Sequence, residues 1–185
     1  MSIPILPRNQ LVPQIEIAVR EHHPSSSLSL LEIDVNGMSP WYNVYGTDQR
    51  ERAMEAFFGT IAEAKLDHRG RFSFLARHPY DKLLLYDTGN PKDLQAIATT
   101  LKERLDATSI PNPDGLQPET TNYKNRDVDV DPQRLTVRIG VAYQHASYTP
   151  YDVGGLVEKA LVAAEEAKTA PGQIVVVQHM LAGAR

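Results

Sequence analysis

Cysteine is absent from the 185 residues, which excludes disulfides and thiolate metal sites. A surplus of positive charge is also missing: 19 Lys and Arg stand against 23 Asp and Glu, for a formal net charge of −4. The basic footprint of a nucleic-acid-binding surface is therefore not there. No apolar run approaches a membrane span, and Met1 to Pro13 holds too few consecutive apolar residues for a signal peptide. The expectation is a cytoplasmic protein with neither membrane nor nucleic acid as a partner. The phosphate-cradling pattern G-x-x-x-x-G-K-[ST] and the nucleophile elbow G-x-S-x-G are missing as well. What remains is ordinary for a globular domain, with 42% hydrophobic and 23% charged residues.

Periodicity supplies the element order. Leu11, Ile15, Ala18, Val19 and His22 fall near helical spacing, so residues 9–22 read as a short amphipathic helix. The run 28–35 reads as a buried strand, broken by Gly37 to Pro40. Met54, Phe57, Phe58, Ile61, Ala62 and Leu66 predict a helix over about 48–66. Two strands, 71–77 and 82–87, flank turn chemistry, and Asn90-Pro91 caps a helix running to about 106 on Leu94, Ile97, Ala98, Leu101 and Leu105. Residues 135–142 alternate like a strand. Thr149-Pro150 is expected to open the last long helix, with Val153, Leu156, Val157, Ala160, Leu161 and Ala164 buried, and 173–177 is a final strand.

The order α, β-α-β-β-α-β, α-β predicts an α/β (α+β) fold. Its centre is a ferredoxin-like βαββαβ palm core with a short N-terminal helix and an additional C-terminal helix and strand. Residues 1–24 are expected to form the helix and a linker, and 25–185 a single domain. Residues 107–133 carry four prolines and almost no large apolar residue, so they read as an irregular insertion.

Two hydrophobic runs end on aspartates, Asp34 and, just past the hairpin turn, Asp81. Carboxylates at the ends of adjacent strands suit a cation of the Mg²⁺ type, which binds through a few carboxylates and a substrate's phosphates. The rival reading of Asp34 is a strand-end cap. His78, near Asp81, is a third ligand or base in the same scheme. Asp127-Val128-Asp129-Val130-Asp131 opens like a calcium loop, but Pro132 and Arg138 stand where glycine and glutamate are needed.

The stretch from Asp34 to Gly46 resembles the opening of GGDEF domains, the diguanylate cyclase family, whose pattern begins D-x-D-x-F-K-x-x-N-D. Residues 135–142 (LTVRIGVA) are similar to that family's LTVSIGVA strand, and 156–168 (LVEKALVAAEEAK) to its LLxxADxALYxAK helix. The resemblance spans about 28–178; a minimal CRISPR-polymerase palm is the nearest related pattern. It implies metal contacts for Mg or Mn from Asp34, the carbonyl of Val35, and Asp81. It implies nucleotide contacts from Tyr42 (or its neighbour Asn43) and Glu51 at the base, and from Lys168 at the phosphates. Arg77 to Leu83 aligns with R-Y-G-G-[DE]-E-F, so Pro79-Tyr80 replaces the two glycines and Tyr80 fills the nucleotide's place. Lys82 replaces the acid after the metal ligand and is the one residue with a claim to a catalytic part, as a substitute for metal charge. Asn36 replaces the second aspartate of D-x-D, Gly172 a phosphate-binding arginine, and Gly70 with Ser73 the inhibitory R-x-x-D.

The resemblance thus implies a degenerate member. It would be a regulatory module in cyclic di-GMP signalling that binds a nucleotide and metal, or a protein partner, instead of making the dinucleotide. The alternative is an active metal-dependent nucleotide cyclase, or a cyclic oligonucleotide synthase, of altered base specificity. Nucleoside triphosphates and cyclic dinucleotides are the ligands implied. A homodimer is the implied assembly, with the 9–22 helix as one means of pairing.

Overall fold

The computed structural model describes residues 8–22, 27–67, 72–78, 82–87, 90–145, 147 and 150–180. The elements follow the expected order. They are α1 (Arg8–His22), β1 (Ser27–Val35), α2 (Met38–Asp67), β2 (Phe72–His78), β3 (Lys82–Asp87) and α3 (Leu94–Asp106). Then come β4 (Glu119–Tyr123), β5 (Arg126–Val130), β6 (Val137–His145), α4 (Val153–Glu166) and β7 (Ile174–Gln178).

Strands β2-β3-β1-β6-β7 form one sheet, antiparallel except for the parallel pair β6–β7. The first four make the split βαββαβ arrangement, and β6-α4-β7 is an added crossover unit. Alternation along β1 sorts its residues to opposite faces. Leu31, Ile33 and Val35 join the core under α2 and α3, with Phe57, Leu101 and Ile139. Leu28 and Leu30 join Ile15 of α1 and Leu156, Val157 and Ala160 of α4 on the other face. Every apolar residue expected to line α3 is buried.

Three expectations need correction. Helix α2 begins at Met38, ten residues early, because Pro40 in a first turn lacks no bond that the helix needs. Gly46, at φ 78°, divides it, a backbone angle open to glycine at little cost. The cap of α4 is Asp152, whose carboxylate accepts from Gly155 N at 2.9 Å, and the helix starts at Val153. Lastly, the stretch read as irregular holds a hairpin, β4–β5, whose turn residues Lys124 and Asn125 both have positive φ.

Polar groups tie that hairpin and its flanking residues to α2, and Val130 and Val128 add apolar contact with the core. Gln49, 1% exposed, donates to the carbonyls of Pro111 and Pro132, and Tyr45 donates to those of Gln117 and Val130. The buried Trp41 indole donates to the Asp131 carbonyl at 2.6 Å. Composition hides such an anchor, since its acceptors are backbone carbonyls.

The α4 cap carries a pH consequence. The Gly155 amide, and then His179 at 3.0 Å, hold the Asp152 carboxyl below the ordinary aspartate value despite partial burial. A carboxyl depressed in the folded state stabilises it fully above the unfolded pKa of about 4 and loses that contribution as pH falls through the folded pKa. Asp152→Ala is expected to lower stability by about 1 kcal/mol at pH 7. The difference from the natural chain should shrink as pH drops below about 4, read from urea midpoints across pH.

Candidate functional site

Asp34 closes β1 between two partners in register, Lys82 of β3 and Arg138 of β6. Directly opposed residues of antiparallel strands share a face. Arg138 uses that placement to form an ion pair: its Nη2 donates to Asp34 Oδ2. Both side chains are largely removed from water, at 8% exposure for Asp34 and 14% for Arg138. Nη1 of the same guanidinium donates to Asn36 Oδ1 at 2.7 Å.

Asn36 is then fully engaged. Its Nδ2 donates to Thr136 Oγ1 and to Gln173 Oε1, each at 3.1 Å, and its backbone N–H donates to the Thr136 carbonyl at 2.8 Å. Gln173 reaches it from the turn before β7 with φ at 54°, a left-handed backbone that non-glycine residues adopt at some cost. The two positions aligned with D-x-D are therefore tied, through one guanidinium and one amide, to the start of β6 and the turn entering β7.

A divalent cation does not fit among these residues as they stand. The Arg138 guanidinium brings a positive charge of its own, and it already holds one oxygen each of Asp34 and Asn36. Two like unit charges at about 4 Å repel by about 4 kcal/mol at an effective dielectric near 20, and a divalent ion doubles that. Among the described residues, no three His, Asp or Glu side chains converge on a point that could hold a metal.

The other expected site residues sit apart. Val35 is buried in the strand. Tyr42 and Asn43 are exposed on the first part of α2. The Tyr42 hydroxyl meets Thr47 Oγ1 at 3.3 Å, and the Arg50 guanidinium lies 5.7 Å from its ring centroid, a cation–π contact. Glu51 is half-buried in the second part of α2. Lys168, just past α4, forms an ion pair with Glu165 three residues back. Pro79, Tyr80 and Asp81 lie outside the described residues, and Lys82 is described in its backbone alone. Helix α1, proposed for pairing, buries Ile15 in the cluster it shares with α4 of its own chain, and Ile17 is 50% exposed.

Arg138, Thr136 and Gln173 were not singled out by sequence reasoning. The signal for Arg138 was there: it is a charge inside the otherwise apolar strand 137–142, where the family's strand has serine. A cavity of about 450 Å³ at the C-terminal end of α3, lined by Asp106, Thr108, Ser109, Asp131, Gln133 and Arg134, includes none of the expected site residues.

Comparison with solved structures identifies the fold. The GGDEF domain of DgcB from Caulobacter crescentus, solved in complex with c-di-GMP, superposes with a TM-score of 0.68 at 11% identity, covering 94% of this chain and 92% of that one. The active GGEEF domain of a diguanylate cyclase from Vibrio cholerae gives 0.64 at 12% identity, over 96% and 100%. The diguanylate cyclase SiaD from Pseudomonas aeruginosa, solved with its activator SiaC, gives 0.65 at 13% identity over 93% of this chain and 58% of that one. No protein-family model matches the chain, and no curated protein does. The chain has the GGDEF-like α+β fold. Among the described residues, no helix is long and apolar enough to cross a membrane.

Proposed function

We propose that this chain is a regulatory module on the GGDEF fold that acts by binding in cyclic-nucleotide signalling and does not synthesise a cyclic dinucleotide. The observation that carries the reading is the pairing of Asp34 with Arg138. The carboxylate aligned with the family's first metal ligand is neutralised from within. Metal-assisted phosphoryl transfer needs that carboxylate for cations that polarise the phosphate and stabilise developing charge. We take residues 25–185 as the module and 1–24 as an appended helix and linker.

The favoured ligand is a protein, as SiaD is held by its activator SiaC. A second reading, binding of a nucleotide or cyclic dinucleotide without turnover, is favoured by Tyr42. The residue is 39% exposed and already has a cation over its ring, and an exposed aromatic side chain can stack on any base. DgcB, solved with c-di-GMP, is the precedent among similar folds.

Incubation with each nucleoside triphosphate and Mg²⁺ or Mn²⁺, followed by chromatography, is expected to return the triphosphates unchanged. A cyclic product that disappears in Asp34→Ala and Asp81→Ala establishes the enzyme instead. Ligands that bind only the folded state raise the melting midpoint. A shift with c-di-GMP that is lost in Tyr42→Ala selects the nucleotide reading over the protein one.

A further inference from the structure

We propose that the cavity at the C-terminal end of α3 binds a free α-amino acid, with Arg134 taking its carboxylate and Asp131 its ammonium group. The inference is independent of the reading of Asp34 given above.

Asp131 and Arg134 are antiparallel bridge partners, closed by a bond from the Arg134 N–H to the Asp131 carbonyl at 3.2 Å. Directly opposed residues of such a pair send their side chains to the same side, and both residues line the cavity. They carry opposite charges, yet among the described residues neither side chain forms an ion pair, with the other or with a neighbour. The Asp131 carboxylate is already oriented. Its Oδ1 accepts from the Gln133 N–H at 2.9 Å, which leaves Oδ2 for a ligand.

The walls are held by bonds that use neither of these groups. The Asp131 carbonyl accepts from the Trp41 indole, and the Gln133 carbonyl accepts from the Ile110 N–H at 3.0 Å. The Thr108 hydroxyl donates to the Arg104 carbonyl at 3.0 Å and meets Thr60 Oγ1 at 2.8 Å. Asp106 accepts from the Val137 N–H and pairs with Lys102, so its charge is already answered. Groups fixed before the ligand arrives lose less freedom on binding.

Charge and lining select the ligand. A guanidinium matches a carboxylate through two parallel bonds, and a carboxylate takes an ammonium by charge-assisted bonds. One zwitterion therefore answers both charges. The lining includes no aromatic ring on which a base would stack. Arg134 is the only cation among the lining residues, against the several charges of a triphosphate. The Thr108 and Ser109 hydroxyls and the Gln133 amide line the same cavity and suit a neutral polar side chain such as that of glutamine. The volume of about 450 Å³ lies within the range of small-molecule sites.

Thermal melts of the full chain with each L-amino acid test the site, and L-glutamine is expected to act most strongly. At ten times its dissociation constant it should raise the midpoint by about 3–6 °C. N-acetyl-L-glutamine, which lacks the ammonium, and L-glutaminamide, which lacks the carboxylate, should leave the midpoint unchanged. Arg134→Gln and Asp131→Asn should each remove the response. Arg134 is exposed, and Asp131→Asn keeps an acceptor for the Gln133 N–H, so both variants should fold. Where one does not, the two analogues test the same contacts on the natural chain.

No response to any L-amino acid, an equal response to either analogue, or a response that persists in either variant overturns the proposal. A shift with GTP or c-di-GMP that Arg134→Gln removes gives the cavity to a nucleotide and overturns it too. All of these outcomes leave the pairing of Asp34 with Arg138 standing, since the triphosphate incubation tests that reading separately.

Discussion

Asp34→Ala is expected to destabilise the natural chain by about 3 kcal/mol in metal-free buffer. Breaking one side of a buried ion pair leaves the other charge without compensation, at about 3–5 kcal/mol. The lower end applies here because Arg138 keeps its bond to Asn36 and is 14% exposed. The sign distinguishes the roles open to Asp34. A carboxylate kept as a metal ligand sits unneutralised in EDTA, so its removal is neutral or stabilising. A carboxylate that answers a buried guanidinium stabilises the fold with no metal at all. The double variant Asp34→Leu with Arg138→Met removes both charges and keeps apolar volume, and such replacements are often neutral. It should therefore recover most of the loss. Urea midpoints for Asp34→Leu, Arg138→Met and the double complete the cycle. Loss from Asp34→Ala of less than about 0.5 kcal/mol, within the range of an exposed surface pair, refutes the buried-pair account.

The second large effect belongs to Gly140. A Cβ there would lie 2.1 Å from Ala164 N and 2.4 Å from Ala160 O. Both atoms are backbone of α4, so no rotamer change relieves the contact. The helix sits this close because its facing residues, Ala160, Ala163 and Ala164, are small and buried. To restore a 3.4 Å contact from 2.1 Å, α4 would have to retreat by about 1.3 Å, opening the cluster it shares with Leu28, Leu30 and Ile15. Overpacking of this kind costs about 1–3 kcal/mol, and a backbone-to-backbone clash belongs at the upper end. Gly140→Ala is expected to cost about 3 kcal/mol in urea midpoint and Gly140→Val more. The β6–α4 packing also sets where the 167–173 connection brings Gln173 back to Asn36. Gly140→Ala should therefore increase hydrogen exchange at the Asn36 amide as well as in α4.

These effects separate what was legible in the chain from what was not. The apolar face of α3 was readable residue by residue because helical spacing is a local property. The cap at Asn90 is readable for the same reason: its side chain accepts from Lys92 N at 3.0 Å, opening the 3₁₀ turn Pro91–Asp93 that leads into α3. The start of α2 is not legible because Gly37 and Pro40 have the character of breakers, yet they stand just before and just inside the helix. Thr149-Pro150 fits the cap-and-proline pattern for α4, yet Asp152 performs the role three residues later. The β4–β5 hairpin is not legible in the apolar pattern because part of its anchoring is by polar side chains bonded to backbone carbonyls.

The sequence by itself determined the order of helices and strands, the ferredoxin-like core with its added β-α-β end, and the candidate carboxylate at Asp34. Each of these is written in spacings of a few residues, the range over which a helix or strand repeats. The partner of that carboxylate was decided by the tertiary structure alone. Asp34 and Arg138 are 104 residues apart. They meet because β1 pairs with β6 in a register that aligns Val35 with Val137 and Asp34 with Arg138. Register follows from burying whole faces of the sheet, since a shift of one residue would turn every side chain to the opposite face. It is a property of the assembled core, and it brings Arg138 to Asp34 as a counter-ion.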